Sequence, residues 1–267
     1  MPATARFSFR NPSSRFPLVI AMFTADRLAH ALRLRESLQR LQLSHALCEI
    51  DRIHSTTSVR GSPDSRFAKP SFIQEWIAHT GKPVLYVDAD TVFRALPSLI
   101  FQAHRRGSQF AIFNWLSGED NQTWLPVASA PHTPGFVKGF AVTHSSTEQI
   151  IVSGAVQFWG AGVHARALLH LWHNTVRANP RSRDDHALDY AFNNFADRKD
   201  LHFAALPRAY CRYAWWPHVT PVIDHPEIPA VNMPWEPLAP AFLARRIHQH
   251  LLQPLERSTA QPLASGI

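Results

Sequence analysis

Two apolar runs without polar interruption, residues 16–23 and 84–87, set the strongest limit on what this chain can fold into. A strand with one wet face alternates polar and apolar side chains, whereas a strand covered on both faces stays apolar throughout. Between the runs, Leu28, Ala31, Leu32, Leu34, Leu38 and Leu41 recur at helical spacing with Arg33, Arg35, Glu36 and Arg40 among them, which predicts an amphipathic helix over 26–42. Strand character returns over 46–53. A polar stretch over 55–66, with Gly61 and Pro63, reads as a loop. Phe72, Ile73, Trp76 and Ile77 then predict a helix, and Gly81-Lys82-Pro83 introduces the second apolar run. Strands alternating with helices define an α/β fold, with a central, mainly parallel sheet flanked by helices and ligands gathered at the carboxyl ends of the strands.

Further strands are expected at 109–114, 150–159, 204–206 and 219–223, and helices at 163–176, 185–195 and 241–252. A long loop over 115–139, with Pro and Trp, is of the kind that covers a site. Trp115, Trp124, Trp215 and Trp216 fall in expected loops and are candidates for stacking on a ligand. The organisation is a disordered leader over 1–15, one domain over 16–233, and an irregular Pro-rich tail with a helix over 234–267 that packs on the domain.

Composition removes several function classes. With 267 residues, 45% hydrophobic and 18% charged, the chain is long enough to bury a core and is neither disordered nor fibrous. The first apolar run spans about eight residues, too short for a bilayer. Cys48 and Cys211 are the only cysteines, so there is no disulfide framework or Cys-rich zinc module, and a reducing, cytoplasmic setting is expected. The net charge is +7, and residues 1–69 carry ten Arg and Lys69 against five carboxylates, which points to an anionic partner.

The chemistry concentrates in Asp88-Ala89-Asp90, directly after the run at 84–87. Two carboxylates leaving a buried strand are costly unless a cation satisfies them. Their oxygens suit Mg²⁺ or Mn²⁺ and leave positions on the ion for a substrate's phosphates. The plain structural alternative is a capped turn or a pairing with Arg94.

An apolar strand ending in Asp-Ala-Asp, preceded by a helix beginning Lys69-Pro70, resembles the nucleotide-diphospho-sugar glycosyltransferases of the GT-A fold, nearest their glycogenin-like and lipooligosaccharide galactosyltransferase-like branches. Three later patches extend the resemblance over residues 17–226. Ser153-Gly154-Ala155-Val156-Gln157-Phe158 is similar to the strand beside the donor sugar, with Ser153 where Asn is commoner. Asp184-Asp185-His186-Ala187-Leu188-Asp189 is similar to the helix start Asp-Gln-x-Ala-Leu-Asn, and Val222-Ile223-Asp224-His225 to the segment ending in a metal-binding His. The Gly-x-x-Lys-Pro-Trp that usually follows is replaced by Pro226-Glu227-Ile228-Pro229.

The resemblance implies a metal-dependent transfer from a UDP- or GDP-sugar to a glycan, lipid-linked or protein acceptor. Asp90 and His225 would be metal ligands, with Asp88 on the metal or the ribose. Lys69 would contact phosphate or nucleotide, Thr24 and Asp51 would line the nucleotide pocket, and Gly154 would lie beside the donor. Asp184, Asp185 and Gln157 are the catalytic candidates. Asp185 acts as general base if the reaction inverts, and stabilises charge at the anomeric carbon if it retains.

Two other classes compete with this reading. Asp88-x-Asp90-x-Thr91 also resembles the nucleophile motif of haloacid-dehalogenase phosphohydrolases, but that motif sits on the first core strand, and here two α/β units precede it. A basic nucleic-acid-binding protein fits the charge, but Arg33, Arg35 and Arg40 are interspersed on a helix and no groove- or strand-binding motif appears, so no nucleic-acid partner is expected. Peripheral contact with an anionic membrane surface is a further expectation.

Overall fold

The computed structural model describes residues 5–12, 15–50, 63–114, 117–120, 123–126, 142–143, 152–178, 184–213 and 218–226. Strand β1 (Ala5–Phe9) is followed by β2 (Leu18–Phe23), helix α1 (Leu28–Arg40), β3 (His45–Glu49), α2 (Pro63–Thr80) and β4 (Val84–Val87). Next come β5 (Val92–Phe93), α3 (Ser98–Arg105), β6 (Phe110–Asn114), β7 (Ser117–Asp120), β8 (Thr123–Pro126) and β9 (Val142–Thr143). The remainder is β10 (Val152–Trp159), α4 (Val163–Ala178), α5 (Asp184–Asn193), β11 (Phe203–Leu206), β12 (Arg212–Tyr213) and β13 (Ile223–His225).

The fold is α/β, as the apolar runs predict. The main sheet has eight strands in the order β1-β3-β2-β4-β10-β6-β11-β9. Strands β3, β2, β4, β6 and β11 point one way; β1, β10 and β9 run against them. All four residues of β4 are buried, because both faces of the sheet are covered. Successive side chains of β2 alternate between two cores. Ile20 and Met22 join α2, α4 and α5 through Ile73, Trp76, Leu168, Trp172 and Leu188. Val19, Ala21 and Phe23 join α1 and α3 through Leu34, Leu38, Ile100 and Ala103. Gly81, at φ +63°, ends α2 in the left-handed region and turns the chain into β4.

A second sheet of three strands, in the order β12-β13-β5, follows from β4 without a helix between. Thr91 closes that connection: its N–H and its Oγ1 both donate to the Asp88 carbonyl, at 3.1 and 2.8 Å. Asp88 and Asp90 therefore sit in a tight turn that carries the chain from one sheet to the other.

Several expectations are corrected. Residues 5–9, expected in a disordered leader, form β1 along the edge of β3. Their signal is the period-two pattern of Ala5, Phe7 and Phe9 against Arg6 and Ser8, set among Arg, Pro and Ser; Phe7 stacks on Phe23 with ring centroids 6.1 Å apart. Helix α2 begins at Pro63, inside the expected loop over 55–66. The expected loop over 115–139 contains the antiparallel pair β7–β8, and the last short strand is displaced from 219–223 to Ile223–His225. The remainder of 115–139 and all of 234–267 lie outside the described residues. Among the described residues no helix is long and apolar enough to cross a membrane.

His45 is buried at the start of β3, and its Nδ1–H donates to the Leu43 carbonyl at 2.9 Å. Burial pushes the imidazole below its ordinary value, since it disfavours the charged ring. A base with a lowered folded pKa supports the fold fully while it is neutral in both states. That support is lost as pH falls through the unfolded value of about 6.5. The urea midpoint is expected to drop between pH 7 and pH 5, with a smaller drop in His45→Gln.

Candidate functional site

Four elements bring polar groups to the carboxyl end of β4. Lys69 reaches in from α2, and its Nζ lies 2.7 Å from Asp184 Oδ2 at the start of α5 and 3.0 Å from Asp88 Oδ1. The same ammonium donates to the Gly154 carbonyl of β10 at 3.4 Å and lies 5.4 Å from the centre of the Tyr86 ring. The Tyr86 hydroxyl donates to Asp88 Oδ1 at 3.0 Å. Burial works against the Lys69 charge, but Asp184 and Asp88 outweigh it and hold its pKa well above the ordinary lysine value. Lys69 is thus a fixed cation.

Gly154 faces this cluster. A Cβ there would meet Asp185 Cβ at 3.4 Å, Asp184 Oδ2 at 3.5 Å and Lys69 Nζ at 3.7 Å, ordinary contact distances, so the backbone of β10 packs closely against the start of α5. Gln157 supports the strand from inside the core. Its Nε2 donates to the Gly154 carbonyl at 2.7 Å and its Oε1 accepts from Trp159 Nε1 at 2.9 Å. Asp189, one turn along α5, accepts from the Val152 N–H at 2.5 Å and ties the helix to the beginning of β10.

The second half of the site lies across the turn. Strand β13 runs antiparallel to β5, with Asp224 opposite Val92, so His225 arrives beside the turn that carries Asp90. His225 Nδ1 lies 3.7 Å from Asp90 Oδ1. Burial disfavours the charged imidazole, yet the Asp90 carboxylate and Cys211 beside it outweigh burial and raise His225 to about 10. Asp90 shifts the opposite way: burial would raise it, and the neighbouring His225 holds it below the usual carboxylate range.

Asp90 and His225 fit a divalent cation as donors, one hard oxygen and one borderline nitrogen already facing each other. Asp88 turns to Lys69 and Tyr86 instead. Among the described residues no group of three or more His, Cys, Asp or Glu side chains comes together tightly enough to hold an ion. A two-residue site of this kind suits an ion whose remaining positions a substrate's phosphates fill.

Several side chains here escape motif reading. The Tyr213 ring stacks on His225, with centroids 4.8 Å apart and planes 23° apart, and its hydroxyl pairs with Ser153 Oγ at 2.9 Å. Ser153 Oγ also lies 3.1 Å from Cys211 Sγ, which links β10 to the small sheet. Asp224 is buried between two arginines: Arg94 Nη2 at 3.2 Å from one oxygen and Arg212 Nη1 at 2.9 Å from the other. Arg94 therefore pairs with Asp224 rather than with the Asp88-Ala89-Asp90 turn. An arginine two residues after the Asp pair's Val92, and an aspartate next to the candidate His, were the only sequence signals of this clamp.

Of the other candidates, Thr24 stands at the carboxyl end of β2 with its Oγ1 donating to Asp26 Oδ1 at 2.6 Å. Asp51 lies outside the described residues, as do Trp115, Trp215 and Trp216 and the side chain of Trp124. Asp184 and Asp185 open a helix; a dehalogenase-type site would need its later acidic pair at a strand end.

No protein-family model matches the sequence, and no curated protein matches it. Among solved structures the chain is similar to a glycosyltransferase involved in the glycosylation of the major capsid of PBCV-1, at 12% identity and a TM-score of 0.47, covering 79% of this chain and 94% of that one. It is also similar to the bifunctional glycosyltransferase WbbM, at 10% identity and a TM-score of 0.47, covering 91% of this chain and 52% of that one. A third is the glycosyltransferase GlyE of Streptococcus pneumoniae TIGR4, at 14% identity and a TM-score of 0.44, with 88% and 61% covered.

Losing the buried Asp224 charge leaves two arginines that solvent still reaches, Arg94 at 46% exposure and Arg212 at 18%, so the loss is that of charged hydrogen bonds, about 1–3 kcal/mol. Asp224→Asn is expected to lower stability by roughly that amount in urea titrations. Asp224→Leu combined with Arg94→Met and Arg212→Met should restore most of it, since no charge is then left unpaired.

Proposed function

We propose that this chain is a metal-dependent glycosyltransferase that moves a sugar from a UDP- or GDP-linked donor to an acceptor hydroxyl on a glycan, a lipid-linked saccharide or a protein. One observation carries the reading: the Lys69–Asp88–Asp184 cluster around Gly154 and the Asp90–His225 pair converge on a single turn at the carboxyl end of β4. Cleaving a sugar from a diphosphate develops negative charge on the leaving group, and a site for that reaction needs fixed positive charge beside space for a sugar. Mn²⁺ or Mg²⁺, held by Asp90 and His225, would supply charge neutralisation on the diphosphate.

The chain's own residues divide the remaining work. Lys69 keeps its proton and donates toward a phosphate oxygen or a sugar hydroxyl, while Asp88, Thr24 and Asp51 meet the nucleoside end. Gly154 brings the backbone of β10 up to Asp184 and Asp185, where the sugar of the donor would sit, and Gln157 holds the Gly154 carbonyl in place from the core. Asp185 takes the acceptor's proton in an inverting reaction, or stabilises positive charge at the anomeric carbon in a retaining one. The anomeric configuration of the product, read by NMR, separates the two.

Calorimetric titration with UDP- and GDP-sugars tests the reading. Binding is expected to require Mn²⁺ and to weaken at least tenfold, about 1.4 kcal/mol, in Asp90→Ala. Equal binding with and without metal would overturn it. His225 must give up its proton to bind an ion, so Mn²⁺ affinity is expected to rise from pH 6 to pH 9 as the ring approaches its value of about 10.

A further inference from the structure

The catalytic reading uses Lys69 and leaves the arginines of the first third without a role. One of them, Arg15, lines a hollow of about 310 Å³ beside the amino ends of β2 and β3, away from the carboxyl ends where Lys69 meets Asp88. Its walls include Phe16, Leu41, Leu43, Leu96 and Phe101, with Arg15 among the lining and no acidic side chain among the described lining residues. Phe16 and Phe101 pack with ring centroids 5.2 Å apart, and Leu96, in the turn before α3, is 48% exposed. Arg105 lies over the Phe101 ring at 5.7 Å. Arg40, next to Leu41, donates to the Phe93 carbonyl at 2.9 Å, and Arg10 precedes Asn11 of the lining. All four of Arg10, Arg15, Arg40 and Arg105 are exposed.

We infer that this hollow is a docking surface for an anionic membrane. Arg15 in the lining and Arg105 over Phe101, beside an apolar depression, match a lipid headgroup layer twice over: phosphates meet the two guanidinium groups, and acyl carbon meets Leu96 and the rim of Phe101. A nucleic-acid backbone would answer the charge and leave the exposed leucine without an apolar counterpart. Docking here turns the amino ends of the strands to the lipid and leaves the carboxyl ends to water, where a soluble charged donor is supplied. The surface stands independently of the glycosyltransferase reading.

Sedimentation with vesicles tests it on the full chain. The protein is expected to pellet with phosphatidylcholine vesicles containing phosphatidylglycerol and to stay in solution with phosphatidylcholine alone. Arg15→Gln with Arg105→Gln is expected to weaken vesicle binding about tenfold or more. Leu96→Gln, which leaves the charge unchanged, is expected to weaken it several-fold. Thermal melting and Mn²⁺ binding should be unaltered in all three substitutions, so a failed docking surface is distinguishable from a failed active site. No pelleting with anionic vesicles, wild-type binding by the arginine variant, or wild-type binding by Leu96→Gln would each overturn the proposal. So would binding of a random single-stranded oligonucleotide that weakens in the same variants, Leu96→Gln included.

Discussion

One buried ammonium group organises this end of the molecule. Lys69 Nζ meets carboxylates from β4 and α5 and a carbonyl from β10, and those elements come from distant parts of the chain. None of these polar groups could be left alone at a strand end under two helices, where burial penalises an unpaired charge by several kcal/mol. Together they compensate each other. Gly154 faces the same group, where a Cβ would stand in ordinary contact with Asp185, Asp184 and Lys69.

The small sheet depends on a similar compensation. Asp224 sits at only 3% exposure between Arg94 and Arg212, and the strand carrying it is three residues long. Strands this short contribute few ladder hydrogen bonds, so the two guanidinium groups provide much of what keeps β13 between β5 and β12. His225 follows Asp224 directly and inherits its position. Tyr213 then covers the imidazole face, and Ser153 connects that tyrosine to the strand bearing Gly154. The two halves of the site are therefore one polar network that passes beneath the turn at 88–91.

Much of this was legible in the sequence where a single element carried the signal. The apolar run at 84–87 defined β4 and put Asp88 and Asp90 at its end, and the amphipathic spacing of Leu28 to Leu41 defined α1. The resemblance brought Asp184, Gly154 and His225 forward, and the structure gathers all three near that strand end. What stayed hidden needed pairs. Arg94 and Asp224 are 130 positions apart. Strands β5 and β12 have two residues each, too few for a period. Strand β1 was masked by the Arg, Pro and Ser around it, though Phe7 and Phe9 alternate as a half-buried strand requires. Gln157, read from its place in a motif, turns into the core, because the alternation of β10 aims it at Trp159.

The resting charge of the site has a consequence for the order in which ligands arrive. Four carboxyl groups, on Asp88, Asp90, Asp184 and Asp185, stand near two cationic side chains, Lys69 and His225, and both cations already face acidic partners. To a free diphosphate such a site is a repulsive mouth, whatever its shape, and an uncomplexed nucleotide gains little by entering. A diphosphate escorted by a divalent cation is electrically neutral and exchanges counter-ions with the protein on entry. On the proposed function, a divalent ion would thus help to admit the donor as well as to assist its cleavage.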